Sequence, residues 1–429
     1  MKISKNKRFI LIITFFWLLT GILFGKFAYK TGIVVTIIGL ILFIPMKLDE
    51  KYLFILSAIP MAAIFKISLT VPSSLLFFYI IFLLQYYLKY PIKKNLIISS
   101  LIFIGFQILT ILIFHSSINS IVSFYLNILF CITSFDYLSK QRNCTLKKCS
   151  IILGISMTIN ILIALIYPNA VFAISYEKQL ALSMDGRFAA LNGDPNYYTQ
   201  LVIVAICLLS TNLLKKNANF KNNFFYICWI LFFIYQGLKS LSKSFVILVL
   251  VIVIFYFISY MKNSKKDKIF ILKMLVLFVF TLFVSIFFVK YILLPLFYER
   301  AQTNTTLFSN RESIWQAYFT NYFKEPLVWL IGTGIMNGAN VLGEGSAAHN
   351  VYIELITETG FFGLTIIIFM LRKLIKKFIN NALNVDMLFV WALLISSFAL
   401  SLSSNDAFFV FLPIVALGGC LKNGKFKKS

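Results

Sequence analysis

Acidic residues are scarce in this chain: 15 Asp and Glu stand against 40 Lys and Arg in 429 residues. Histidine is scarcer still, with two, His115 and His349. A metal centre needs several such ligands gathered together, and no outer loop carries a dense Asp, Glu and His cluster, so no metal and no other cofactor is expected. The six cysteines fall into no usable spacing. Cys131, Cys207, Cys228 and Cys420 lie in apolar runs, while Cys144 and Cys149 bracket a short basic loop without a His or acid partner. Neither a disulfide framework nor a zinc site follows. Charge of either sign is rare too, at 13% against 60% hydrophobic residues. That balance excludes a soluble domain of this length.

Apolar runs long enough to cross a bilayer recur along the whole chain, and mean hydropathy is +0.89. The sequence therefore predicts an all-α polytopic membrane protein, a single integral-membrane domain over 1–429 with about 12–14 crossings. The runs include 9–25, 31–46, 52–65, 96–114, 120–138, 197–214, 224–238, 245–261, 269–291, 349–371, 386–403 and 406–421. The net charge of +25 could suggest nucleic acid, but its placement argues otherwise. With the N-terminus inside, 28 of the 40 Lys and Arg fall in short segments on one face, among them 89–95, 139–148 and 372–380. This is the positive-inside pattern of a protein of the cytoplasmic membrane, with both termini cytoplasmic and anionic lipid as neighbour. The first apolar run lacks a small-residue cleavage site, so it is expected to remain as a span.

Residues 1–167 read as scaffold, with His115 in a brief interfacial turn and Asp136 a solvated charge near the inner end of its helix. The first informative outer loop is 168–196. In it, Asp194-Pro195-Asn196 reads as a helix start, with Asp at the N-cap and Pro at the first helical position. Arg187, stranded beside the outer surface, suits bidentate phosphate contact, although snorkelling to lipid would also account for it. The turn Lys239–Ser244 places two lysines on the face that the positive-inside rule depletes.

The outer segment 292–348 is the longest and contains Arg300. Ser309 and Glu312 have capping-box spacing. Ile314, Trp315, Tyr318, Phe319 and Tyr322 then keep helical spacing, which predicts an amphipathic helix able to lie on the membrane and end at Pro326. Arg311 stands in the first turn of that helix, where a cation opposes the macrodipole. Five glycines follow between Gly332 and Gly345, a density that implies unusual backbone angles or close approach. His349-Asn350 then opens the motif helix 349–371. From there Asn350, Glu354 and Glu358 recur every four residues, so they share one face. Two acids on a helix entering a bilayer mark a site unless they pair within the bundle.

The order of these motifs resembles the O-antigen polymerase/ligase superfamily. It runs R…G-D-P-N before a span, a Ser-Lys turn between spans, then R-x-x-x-W, G-T-G and H-N-x-Y-x-x-x-x-x-E-x-G-x-x-G-L. The resemblance covers about 187–365 by motif and the rest by architecture. It implies a GT-C-like membrane glycosyltransferase acting on undecaprenyl-pyrophosphate-linked glycan. Arg187 and Arg311 would hold the lipid pyrophosphate, and His349 matches the family's motif histidine. Ser242-Lys243 stands where the family usually has Ser-Arg, so Lys243 keeps the charge without the bidentate fork.

Elementary chemistry gives the same picture. An outer-face transferase has no nucleotide sugar to hand, so the energy must arrive in a lipid-linked diphosphate. The leaving pyrophosphate needs fixed cations, for which Arg187, Arg311, Lys243 and Arg300 are candidates. The acceptor hydroxyl needs a proton acceptor, a role suited to His349. Asn196, Asn350, Glu354 and Glu358 are candidates to bind sugar or to orient the imidazole. The expected function is polymerisation of lipid-linked repeat units for capsule, O-antigen or exopolysaccharide, with a flippase and a chain-length regulator as partners. The alternative is ligase-type transfer of finished glycan to another acceptor. A transporter or flippase is a further reading, but the spans are almost free of charge and show no internal repeat.

Overall fold

A computed structural model of the protein describes residues 5–65, 73–141, 145–168, 188–213, 220–240, 242–263, 290, 311–343, 345–382, 384–401 and 412–420. All regular structure among them is helical. Seven helices come first: α1 (Lys5–Phe27), α2 (Gly32–Phe43), α3 (Leu48–Ala58), α4 (Leu75–Lys89), α5 (Lys94–Phe114), α6 (Ile118–Lys140) and α7 (Leu146–Ile166). Next come α8 (Pro195–Leu213), α9 (Phe220–Leu238) and α10 (Lys243–Asn263). The C-terminal third holds α11 (Arg311–Lys324), α12 (Pro326–Ile331), α13 (Gly338–Val341), α14 (Val351–Asn380) and α15 (Leu388–Ser396), with a closing 3-10 turn at Ala416–Cys420. Six described helices are long and apolar enough to cross a membrane, and five shorter ones are apolar. The chain is an all-α polytopic membrane protein.

The apolar sequences explain the packing. α8 is hydrophobic around nearly its whole circumference, so it sits in the middle of the bundle rather than against lipid. It packs on α7, α9, α10 and α15. α5, by contrast, leaves many of its large apolar side chains exposed, including Leu101, Leu109 and Leu112, as a lipid-facing helix must. Several polar groups inside the bundle are paired. Asn160 of α7 donates to the Pro60 carbonyl and accepts from Leu191 N–H at 3.2 Å, and Trp17 donates to Ser57 at 2.9 Å.

Several expectations change in the structure. The run 52–65 is α3 beginning at Leu48, followed by a 3-10 turn, Ala62–Phe65. Lys51 is therefore buried rather than in a solvated loop, with its amine on the Ile44 carbonyl at 3.0 Å and over the Phe43 ring. Asp136 is not a solvated boundary charge. It accepts from Lys93 at 2.8 Å, Lys140 at 2.9 Å and Tyr86 at 2.9 Å, because three donors converge where α4, α5 and α6 meet. Among its described residues the run 386–403 forms the short α15 with 3-10 turns at Val385–Met387 and Ser397–Ala399. The predicted crossing 269–291, apart from residue 290, and residues 406–411 lie outside the described residues.

α11 begins at Arg311 and ends at Lys324, and Pro326 starts α12 as its first residue. Part of its apolar face is covered by protein. Tyr318 and Tyr322 are buried against Val328, Leu342, Ala348 and Ile353, with Ile314 and Trp315 beside them. The face is consumed by the glycine-rich segment because that segment brings its own apolar residues. Phe319 and Phe323 remain exposed and stack on each other.

Candidate active site

α14 is interrupted at Gly360, whose φ of 62° and ψ of −177° are not helical. The break strips the Thr357 and Glu358 carbonyls of the amides they would normally receive four residues on. The G-T-G segment supplies replacements: Thr333 N–H donates to Thr357 O at 3.1 Å and Gly334 N–H to Glu358 O at 3.0 Å. Such substitution is what a broken helix at membrane depth requires. The G-T-G and E-x-G motifs are therefore two halves of one backbone joint.

The two acids of α14 point into this joint and are buried. Glu358 accepts from Met336 N–H at 2.7 Å and Gly338 N–H at 3.4 Å, which anchors the glycine-rich segment at the start of α13. Glu354 accepts from His349 N–H at 3.0 Å and from the Ser401 hydroxyl at 2.8 Å and 2.9 Å. Ser401 is in turn gripped by Tyr197 of α8, whose hydroxyl donates to its carbonyl at 2.6 Å and accepts from its amide at 3.2 Å. The carboxylates thus accept from backbone amides of the glycine-rich segment and of His349, and Glu354 also from the Ser401 hydroxyl.

Asn350 caps α14 with its side-chain oxygen, accepting from Tyr352 N–H at 3.0 Å and Ile353 N–H at 3.3 Å. His349 precedes it with φ of 49°, a left-handed conformation that histidine tolerates better than most residues. That geometry leaves His349 partly open to solvent and partly enclosed by protein, while its amide stays on Glu354.

Trp315 of α11 donates its indole N–H to the Ala348 carbonyl at 2.7 Å. Arg311 lies four residues earlier on the same helix face, so the R-x-x-x-W spacing delivers its guanidinium to His349. The surrounding protein desolvates the imidazole, and with the Arg311 charge it holds the pKa below the ordinary 6.5, while the Asp194 carboxylate pulls it upward. Burial and the nearby Glu354 and Glu358 carboxylates likewise push the Tyr318 phenol upward.

Asp194 caps α8 as its position predicts, accepting from Asn196 N–H at 2.6 Å. The Asn196 side-chain oxygen accepts from Ser242 at 3.2 Å, and Phe188 N–H donates to the Lys239 carbonyl at 3.0 Å. The outer loop and the Ser-Lys turn are therefore joined directly. The structure gathers Asp194, Asn196, Ser242, Arg311, His349, Asn350, Glu354 and Glu358 around the N-termini of α8, α11 and α14. Arg187, Arg300 and Ser309 lie outside the described residues, as does the side chain of Lys243, the first residue of α10. Among the described residues no three His, Cys, Asp or Glu stand together as metal ligands.

Three participants were not singled out from the sequence. Tyr197 and Ser401 lie 204 residues apart, and no local pattern connects them. Asp194 was legible only as a cap, because its reach to His349 depends on how α8 and α14 meet.

Residues 226–368 match the family described as O-antigen ligase. The match covers a third of this chain. It spans the turn at Ser242, α11, the glycine-rich segment and α14 beyond the Gly360 break, which are the elements that build the site. A similar protein is the ComP-specific O-oligosaccharyltransferase of Acinetobacter baylyi, 24% identical over 363 residues. The alignment covers 80% of this chain and 64% of that protein, so the present chain spans under two thirds of its relative's length.

Proposed function

We propose that this protein is a metal-independent membrane glycosyltransferase that moves glycan from an undecaprenyl-pyrophosphate carrier to an acceptor hydroxyl at the outer face of the cytoplasmic membrane. The observation that carries this reading is the pairing of His349 with Arg311. A desolvated imidazole beside a fixed cation stays neutral near pH 7 and can take a proton, while the guanidinium faces the same space. In the reaction, the acceptor oxygen bonds to the anomeric carbon of the donor sugar as the bond from that carbon to the phosphate oxygen breaks. His349 takes the hydroxyl proton. Arg311, with Arg187 and Lys243, neutralises the departing diphosphate. Glu354, Glu358 and Asn350 act as positioning residues, since their oxygens hold the backbone around His349.

The sequence places repeat-unit polymerisation first. The family match and the oligosaccharyltransferase relative instead favour transfer of an assembled glycan to a distinct acceptor, and we adopt that as the main reading. Polymerisation is the narrower alternative, in which the acceptor is a second lipid-linked unit.

Purified protein supplied with lipid-linked oligosaccharide tests the chemistry, with donor affinity and turnover measured separately in His349→Ala. Donor affinity should stay within about threefold, while turnover falls by roughly 10²–10⁴-fold. A collapse of donor affinity instead would put His349 in the phosphate site. Supplying donor alone separates the two readings, because a polymerase makes a ladder of lengthening products and a ligase needs its separate acceptor.

A further inference from the structure

At the far end of α14 from His349 lies a cavity of about 440 Å³ between α4, α5, α6 and α14. Arg372 follows His349 by 23 positions, or roughly 30 Å along a helix, so this cavity is separate from the transfer site. Its polar wall carries Lys93, Lys94, Arg372 and Lys373. The carboxylate there, Asp136, is already shared by Lys93, Lys140 and Tyr86. The Lys93 ammonium also stands close enough to Lys373 to repel it, and like charges driven together in a cavity favour an anion between them.

Two further features point the same way. The N-terminus of α5 opens on the cavity through Lys93, Lys94 and Asn95, with no acid in its first turn and no side-chain cap. Its positive end therefore adds to the lysines instead of being offset by them. The Arg372 guanidinium is exposed and parked over the Phe369 ring at 4.3 Å. The rest of the lining is apolar, with Ile132, Phe369, Met370 and Leu374. A basic mouth over an apolar floor matches a molecule with an anionic head and a hydrocarbon tail. A free phosphate would use only the mouth.

We propose that this cavity binds the phosphate headgroup of an anionic phospholipid, with Lys93, Arg372, Lys373 and the α5 N-terminus around the phosphate and an acyl chain along Phe369 and Leu374. The site lies among the segments richest in Lys and Arg, and so in the leaflet that those residues face. It holds α5 and α6 against the inner half of α14.

The test uses full-length protein in nanodiscs of phosphatidylcholine with increasing phosphatidylglycerol, reading thermal stability, and native mass spectrometry for retained lipid. Wild type should gain stability with phosphatidylglycerol and carry it through detergent exchange. The double variant Arg372→Gln/Lys373→Gln should bind it roughly 30-fold more weakly. Lys94→Gln, on the opposite wall, should weaken retention too, giving a reading that does not depend on the folding of one variant. Equal stabilisation and retention in all variants would reduce the effect to a general surface charge and overturn the proposal. The same stabilisation by millimolar inorganic phosphate in pure phosphatidylcholine discs would overturn the lipid assignment in favour of a soluble phosphate ligand.

Discussion

The backbones of Gly332 and Gly360 lie against each other with no room for a side chain on either. A Cβ built on Gly332 would stand 2.6 Å from the Gly360 nitrogen, and one on Gly360 would stand 2.6 Å from the Ile331 carbonyl carbon. Both residues also have positive φ. Gly332→Ala and Gly360→Ala should therefore each destabilise the protein by roughly 1–3 kcal/mol from strain alone, with clash added. Thermal unfolding in detergent checks this, with Gly105→Ala as the control, since nothing lies within 4 Å of a Cβ there.

Glu358→Ala should cost about 1–3 kcal/mol for each of the two backbone amides it leaves buried without an acceptor. Glu358→Gln should fall between Ala and wild type, because it keeps one oxygen and turns an NH₂ group toward the other amide. A drop in melting temperature that is equal for Gln and Ala would argue that the negative charge, rather than the acceptor geometry, holds the segment.

The acidic limb of the rate–pH profile should report His349. Its pKa lies below 6.5, so activity should hold at neutral pH and fall as pH drops through that lowered value. Arg311 opposes protonation, so Arg311→Gln should shift the limb to higher pH. Asp194 favours protonation, and Asp194→Asn should shift it to lower pH. A limb that stays still in both variants would assign it to another group.

Arg311→Ala and Arg187→Ala should each lower transfer by about 10²–10³-fold while the protein still inserts. Lysine at either position should rescue only in part, because the planar fork is lost. Trp315→Phe removes the indole N–H bonded to Ala348 but keeps an aromatic ring on the helix carrying Arg311, and should cost transfer without removing any charge. In vitro transfer with matched membrane levels measures all five.

Reporter fusions after Lys265 and Asn304 should give opposite signals, with Asn304 external, because the lysine distribution puts 262–268 and 292–348 on opposite faces.

The motif helix was largely legible before any coordinates. Asn350, Glu354 and Glu358 do share a buried face, and Asn350 does start the helix, because both follow from a period that the chain itself carries. The Arg at the start of α11, a cation set against the macrodipole, lies near enough to His349 to act on its charge. What stayed hidden depends on contacts between distant segments. The amphipathic face of α11 could as well have met lipid as protein, and only the fold of 332–348 decides that. Gly360 looked like one more glycine in a helix, since its break is made tolerable by amides some 25 residues earlier. The partner of Glu354 is Ser401, which no spacing rule connects to it.

That last contact has a bearing on biogenesis. Glu354 is gripped by Ser401, Ser401 by Tyr197, and Tyr52 of α3 donates to the Pro413 carbonyl 361 residues away at 2.8 Å. During synthesis, α3, α8 and the whole glycine-rich segment leave the ribosome well before these partners exist. The Glu354 end of α14 therefore acquires its Ser401 contact only after α15 has been made, and a nascent chain stopped after α14 holds every recognisable motif without it. That places Ser401, which belongs to none of the recognisable motifs, among the residues that hold the start of α14.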